Sequence, residues 1–301
     1  MPSIIVVLLG AASYGLLSTF VKLAYQAGFT PGEVIGSQAT LGFALMLAVW
    51  AAFRLRKGKQ ASSRAGLRVW LSLIPVGAAN ALTSVFYYMA LQEIPASLAV
   101  VLLFQFTWIG VLIESAITRR KPGYEKVLAL IVVGAGTILA GGLADGGWNR
   151  FTWAGLAFGL LSAVTYSLVI VLSGKMAVEV HPIPRSAVML FFSMAVTLTV
   201  FPPTYLTGGA LSHGLLGWGL LLALFGYVIP PLLFAIGVPK TGGTLASILS
   251  SAELPVAVLM SRLALGETVT LAQWAGVLTI LAGIALPEWL HRKFAKQLGR
   301  S

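Results

Sequence analysis

Lys240 to Glu267 reads KTGGTLASILSSAELPVAVLMSRLALGE, and Glu253 stands near the middle of its apolar run from Thr241 to Leu265. A run of that length crosses the hydrocarbon core of a bilayer as a helix. A carboxylate at that depth costs ~3 kcal/mol on insertion scales and is rarely left facing lipid. Pro255 has no N–H to offer the carbonyl of Ser251, so the helix is expected to open beside the acid. Ser250 lies one turn before Glu253 on the same helical face. Two readings follow: a neutral carboxyl tied into a helix bundle, or a group lining a solute or proton path. Intramembrane acids favour the second by default.

The rest of the chain extends this membrane character. It has 301 residues, 58% of them hydrophobic and only 10% charged, with a mean hydropathy of +0.91. Long apolar stretches recur throughout, which marks an integral membrane protein. The net charge of +11 sits in short loops between apolar runs, so it signals topology rather than nucleic-acid binding. There are no cysteines, which excludes disulfides, thiol chemistry and cysteine-ligated metals. The first apolar run lacks a basic leader and outlasts a signal peptide, so it reads as a retained first span.

Ten apolar segments are expected to span, at 3–24, 32–53, 67–91, 96–118, 123–143, 152–175, 185–205, 214–237, 241–265 and 269–290. In that arrangement 17 of the 20 Lys and Arg residues fall on one side, leaving Lys22, Arg150 and Arg262 toward the other. The positive-inside rule then makes both termini cytoplasmic, in a multi-pass cell (inner) membrane protein. Trp50, Trp70, Trp148, Trp153, Trp218, Trp274 and Trp289 fall near the expected interfaces, as amphipathic rings do. Trp108 lies mid-span instead.

Residues 98–139 and 245–286 align without a gap at an offset of 147, pairing Val111 with Val258, Leu112 with Leu259 and Gly136 with Gly283. AASYGLLSTFVK in the first segment resembles AVTYSLVIVLSGK in the sixth, with one insertion. Five spans per half is an odd number, so the second half enters from the opposite side. The expected fold class is all-α integral membrane, ten transmembrane helices as two inverted five-helix repeats. The first repeat covers 1–143, the second 150–290, and 291–301 is a basic cytoplasmic tail. Glu253 then lies at the depth where such repeats hold solute.

FYYMALQEIPASLAVVLL (86–103) and LALGETVTLAQWAGVLTILAGI (263–284) resemble the EamA family of the drug/metabolite transporter superfamily, in its PAS-like turn and its LGE-plus-glycine final hairpin. The resemblance implies a permease in which helices 1–4 and 6–9 surround a cavity while helices 5 and 10 pack outside. The first repeat carries Arg119 and Arg120 where LGE would stand, so Glu267 has no symmetry mate.

Polar residues inside the spans supply the candidate solute site. Asn80, Ser84 and Tyr88 recur every four residues with Tyr87 alongside, a polar stripe on one face of span 3. Gln105 and Trp108 share a face of span 4. Tyr14, with Ser18 a turn later, and Tyr166 occupy matching places in spans 1 and 6. Tyr227 precedes Pro230 and Pro231, which force a kink in span 8. Each stripe reads either as a cavity wall or as an interhelical tie, worth about 0.6 kcal/mol per bond. Lys22 and Lys175 are expected to snorkel, and Glu114 to pair with Arg119 or Arg120.

No P-loop is present, the three histidines fall in loops or at a span end, and Glu253 is the one acid near the midplane. ATP hydrolysis, a metal cluster, a cofactor and acid-pair catalysis are therefore not expected. The functional expectation is a secondary transporter, not an enzyme, moving a small organic metabolite of amino-acid or amine-like kind by alternating access. Glu253 either carries a proton in exchange or binds a cationic group. A quaternary ammonium in an aromatic box is the alternative. A lipid-modifying enzyme is disfavoured by the missing histidines and paired acids, and a non-transporting membrane protein by the missing extramembrane domain. The expected partners are solute, bilayer lipid and coupling protons, with no nucleic acid. Monomer and dimer both stay open, as do import and export.

Overall fold

The computed structural model describes residues 2–57, 66–119, 124–140, 152–241 and 249–297. Among these residues all regular structure is helical. Lys59, Arg64, Arg120, Lys121, Trp148, Arg150 and Arg300 lie outside the described residues, as does the ion pair expected of Glu114.

The helices are α1 (Pro2–Gln26), α2 (Pro31–Lys57), α3 (Leu67–Leu71), α4 (Ile74–Glu93), α5 (Ala96–Leu103), α6 (Phe106–Thr118) and α7 (Tyr124–Ala140). They continue as α8 (Trp153–Ser173), α9 (Pro182–Val200), α10 (Leu216–Ala223), α11 (Ile229–Thr241), α12 (Glu253–Leu265) and α13 (Leu271–Gln297). The expected apolar segments fall mainly on these helices. Among the described residues, seven helical stretches are long and apolar enough to cross a membrane: Ser3–Gln26, Pro31–Arg56, Leu67–Glu93, Ala96–Ile117, Trp153–Ser173, Pro182–Val200 and Leu211–Phe234. Ile131–Ala140 and Leu271–Leu286 are shorter apolar helices.

Local chemistry sets the boundaries. Thr30 and Glu33 form a reciprocal capping box at the start of α2: the Thr30 N–H donates to Glu33 Oε2 at 2.8 Å and the Glu33 N–H to Thr30 Oγ1 at 3.4 Å. Thr270 and Gln273 repeat it before α13. Pro75, in the first turn of α4, follows the Ser72–Leu73 break that separates α3 from α4. Between α10 and α11 the backbone widens into a π-turn over Leu224–Val228, immediately before Pro230 and Pro231. In an i→i+5 pattern the Phe225 carbonyl would take the N–H that Pro230 lacks, and Ser13 Oγ donates to it instead at 3.3 Å.

Two spans are interrupted, the ninth beside the acid where Pro255 leads one to expect an opening, and the fourth where no interruption is expected. Turns at Phe104–Gln105 and at Ser251–Ala252 precede α6 and α12. Both helices are 13 residues long and both end in a left-handed residue, Arg119 at φ 54° and Gly266 at φ 67°. Each boundary recurs at the offset of 147 residues, and so do the starts of α7 and α13.

The helices pack as a bundle. α1 lies against α11 and α12, α8 against α4, α5 and α6, and α9 against α2 and α4. α2 also meets α10, and α7 pairs with α13. That last crossing is close because its contacts are small: a Cβ added at Gly276 would come within 2.2 Å of the Ala140 nitrogen.

Candidate functional site

A cavity of about 130 Å³ opens inside the bundle. Its described lining comes from α1, α2, α4, α5, α8, α9, the π-turn, α11 and α12, and includes nothing from α7 or α13. Seven of the candidate residues meet there: Tyr14, Asn80, Ser84, Tyr88, Tyr166, Tyr227 and Glu253. The period-four stripe of α4 therefore faces the cavity as a unit.

Glu253 is the first residue of α12, directly after the Ser251–Ala252 turn. The break falls before Pro255 because a proline is tolerated in a helix's first turn, where no N–H is owed. It leaves the carboxylate at the positive end of a half-helix. The tyrosines Tyr14, Tyr87 and Tyr166 all lie within electrostatic reach of that carboxylate. α1 approaches very closely here: a Cβ added at Gly15 would sit 2.7 Å from the Glu253 carbonyl oxygen and 2.9 Å from Val256.

Hydrogen bonds hold the wall. Tyr88 Oη donates to Gln38 Oε1 at 2.5 Å, and Gln38 Nε2 donates to the Leu222 carbonyl at 3.1 Å. Asn80 Nδ2 donates to Ser193 Oγ at 3.0 Å, and the Ser84 and Tyr227 hydroxyls share a bond of 3.3 Å. Thr83 Oγ1 lies 2.8 Å from the Ala79 carbonyl and 3.0 Å from Thr165 Oγ1.

Three candidates fall elsewhere. Gln105 Nε2 donates to the Val101 carbonyl and to Thr137 Oγ1, both at 2.8 Å, and Trp108 Nε1 donates to Gln105 Oε1 at 2.7 Å. These two therefore turn toward α7 and form an interhelical tie. Ser250 is half-buried and is not part of the cavity lining. Conversely, Gln38, Thr83 and Ser186 line the cavity without having been singled out from sequence. Gln38 is a lone amide in an apolar span, which is itself a signal, but no periodicity accompanies it.

The two stretches that carry the family resemblance touch. Glu267 Oε1 accepts from the Ala96 N–H at 2.6 Å, and Oε2 accepts from the Ser97 N–H at 3.1 Å and Ser97 Oγ at 2.6 Å. The LGE carboxylate thus caps the helix that begins at the PAS turn. Lys22 and Glu267 both line an open pocket of about 380 Å³ there, and Lys175 is exposed.

The profile of the EamA-like transporter family matches residues 1–142 and again 153–287. An uncharacterized inner membrane transporter of Salmonella typhimurium, YicL, is 28% identical over 232 residues, covering 75% of each chain. An uncharacterized transporter of Bacillus subtilis, YcbK, is 23% identical over 296 residues, covering 93% of this chain and 91% of its own. A solved crystal structure shares the fold at a TM-score of 0.61 and 20% identity, covering 96% of this chain and 98% of that one. With several helices apolar enough to span a bilayer and family matches over both halves, the chain is a multi-pass membrane transporter that belongs to the EamA-like transporter family of the drug/metabolite transporter superfamily.

Proposed function

We propose that this protein is a secondary transporter that carries a small organic metabolite, amino-acid or amine-like, through the Glu253 cavity by alternating access. The observation that carries the reading is one carboxylate, at a helix break inside the bundle, opening into a tyrosine-rich cavity. The volume is close to that of a protein cavity known to hold benzene, so it suits a solute of few heavy atoms.

Ten spans in two inverted repeats, 1–143 and 150–290 with both termini cytoplasmic, form the scaffold of this proposal. Its support is the pattern of neighbours. Exchanging the halves turns α1 against α11 into α8 against α4, α1 against α12 into α8 against α6, and α9 against α4 into α2 against α10. The pairs α2 with α9 and α7 with α13 map onto themselves. A two-fold arrangement of this kind lets two closely similar packings exchange the side to which a central site opens.

A second reading, a cation held by aromatic faces, draws on the five tyrosines Tyr14, Tyr87, Tyr88, Tyr166 and Tyr227 in the lining. Flux in proteoliposomes, screened over amines, amino acids and neutral alcohols, tests both readings. Glu253→Gln separates the roles of the acid. Loss of binding identifies a cation partner, whereas retained binding without response to a pH gradient identifies a proton carrier. Unchanged binding and unchanged pH-driven flux, in protein that melts like the parent, would remove Glu253 from the mechanism.

A further inference from the structure

At Tyr88 the cavity wall has a fixed hydrogen-bond polarity that originates in α2, whereas Asn80 and the Ser84–Tyr227 pair each keep a donor. The Leu222 carbonyl can only accept, so the Gln38 group 3.1 Å away is the amide NH₂. That leaves Gln38 Oε1 pointing at Tyr88, where it can only accept, so the Tyr88 hydroxyl spends its single proton on Gln38. What Tyr88 shows the cavity is a pair of lone pairs. Thr83 is in the same position, since its one proton goes to the Ala79 carbonyl or to Thr165. Glu253 adds a carboxylate, and the described lining contains no lysine, arginine or histidine. Gln38 is locked in this orientation by packing as well as bonding. It is about 1% exposed, and a Cβ added at Gly226 would meet its Nε2 at 2.7 Å.

We propose that Gln38 is a positioning residue for specificity: by holding Tyr88 as an obligate acceptor it selects a solute that is a monocation bearing N–H donors. This inference rests on the cavity being the solute site, and it deepens that reading by naming the group recognised. It parts from an aromatic box, which attracts a quaternary ammonium and a primary ammonium alike. It also disfavours a solute carboxylate, because the described wall offers that group no cationic partner.

The test is a matched pair of probes, tert-butylammonium and tetramethylammonium, which share charge and shape but differ in that only the first has N–H donors. Affinities are read by calorimetry or thermal shift on the purified full-length protein. The parent should bind tert-butylammonium about tenfold more tightly, the factor expected of a charged hydrogen bond. Tyr88→Phe and Gln38→Met should each bring the ratio toward one while leaving tetramethylammonium within about twofold. Gln38→Glu in its neutral form keeps an acceptor for Tyr88 and a hydroxyl for Leu222, so it should retain the preference. Equal binding of both probes by the parent overturns the inference. A preference that survives in either Tyr88→Phe or Gln38→Met protein that melts like the parent also overturns it. If neither probe binds the parent, the cation-site reading itself fails, and this inference falls with it.

Discussion

The helix breaks before Phe106 and before Glu253 are the same backbone built twice. Each precedes a 13-residue helix closed by a left-handed residue, and the two lie 147 positions apart. Their side chains differ completely. Phe106 packs edge-on against Tyr166 with centroids 4.7 Å apart, while Glu253 opens into the cavity. The flanking helices differ in step. In α8, Ser167 Oγ lies 2.8 Å from the Ala163 carbonyl and 3.1 Å from the Phe106 carbonyl, with one proton for either, whereas in α1 the matching Gly15 brings backbone almost against the Glu253 carbonyl. A repeated scaffold thus supplies two equivalent breaks, and only one has been given ionisable chemistry. An acid in one copy gives a single charge to bind or move, without the repulsion that two facing carboxylates would create.

The largest expected effect breaks this asymmetry directly. Glu253→Gln should lower the initial flux of a transported amine by about 30-fold or more, since losing a buried charge partner costs at least ~2 kcal/mol. Phe106→Leu at the equivalent position should stay within about threefold of the parent. Similar losses in the two variants would mean that the breaks matter only as hinges.

A smaller effect concerns the flanking helices. Gly15→Ala drives a methyl into the Glu253 carbonyl and should cost about 1–3 kcal/mol of stability, as overpacking does. Ser167→Ala removes a hydroxyl shared between its own helix and the Phe106 carbonyl and should cost at most about 0.6 kcal/mol. Melting temperatures of the two proteins in one detergent provide the comparison, and a larger loss for Ser167→Ala would reverse it.

The smallest effect lies at the ends of the two half-helices. Gly266→Ala puts a Cβ at φ 67° and should lose ~1 kcal/mol, while Arg119→Gly relieves the same strain at φ 54° and should gain up to about that much. Opposite shifts in melting temperature are expected. Shifts of the same sign would show that surrounding contacts, not φ, govern these caps.

Much of this arrangement can be read in the residues. The apolar runs mark the helices, and the gapless offset of 147 anticipates that whatever happens at Phe104 happens again at Ser251. Asn80, Ser84 and Tyr88 share a face because four-residue spacing keeps them on one side of a helix. Spacing does not say which neighbour that face meets. Gln105 and Trp108 share a face by the same rule, yet theirs meets Thr137 on α7. Gln38 escaped notice because one amide has no period, and its meaning depends on a carbonyl 184 residues away. The Glu267 cap on Ala96 and Ser97 is likewise a contact between distant stretches, which local pattern does not reveal.

The absence of cysteine from the chain makes alternating access through this cavity directly measurable. Ser84→Cys places one thiol in the lining, where a membrane-impermeant reagent can be applied to oriented vesicles from either face. The account predicts modification from both faces, at different rates, with a transported solute slowing both. Modification from one face alone, unaffected by any transported solute, would contradict it.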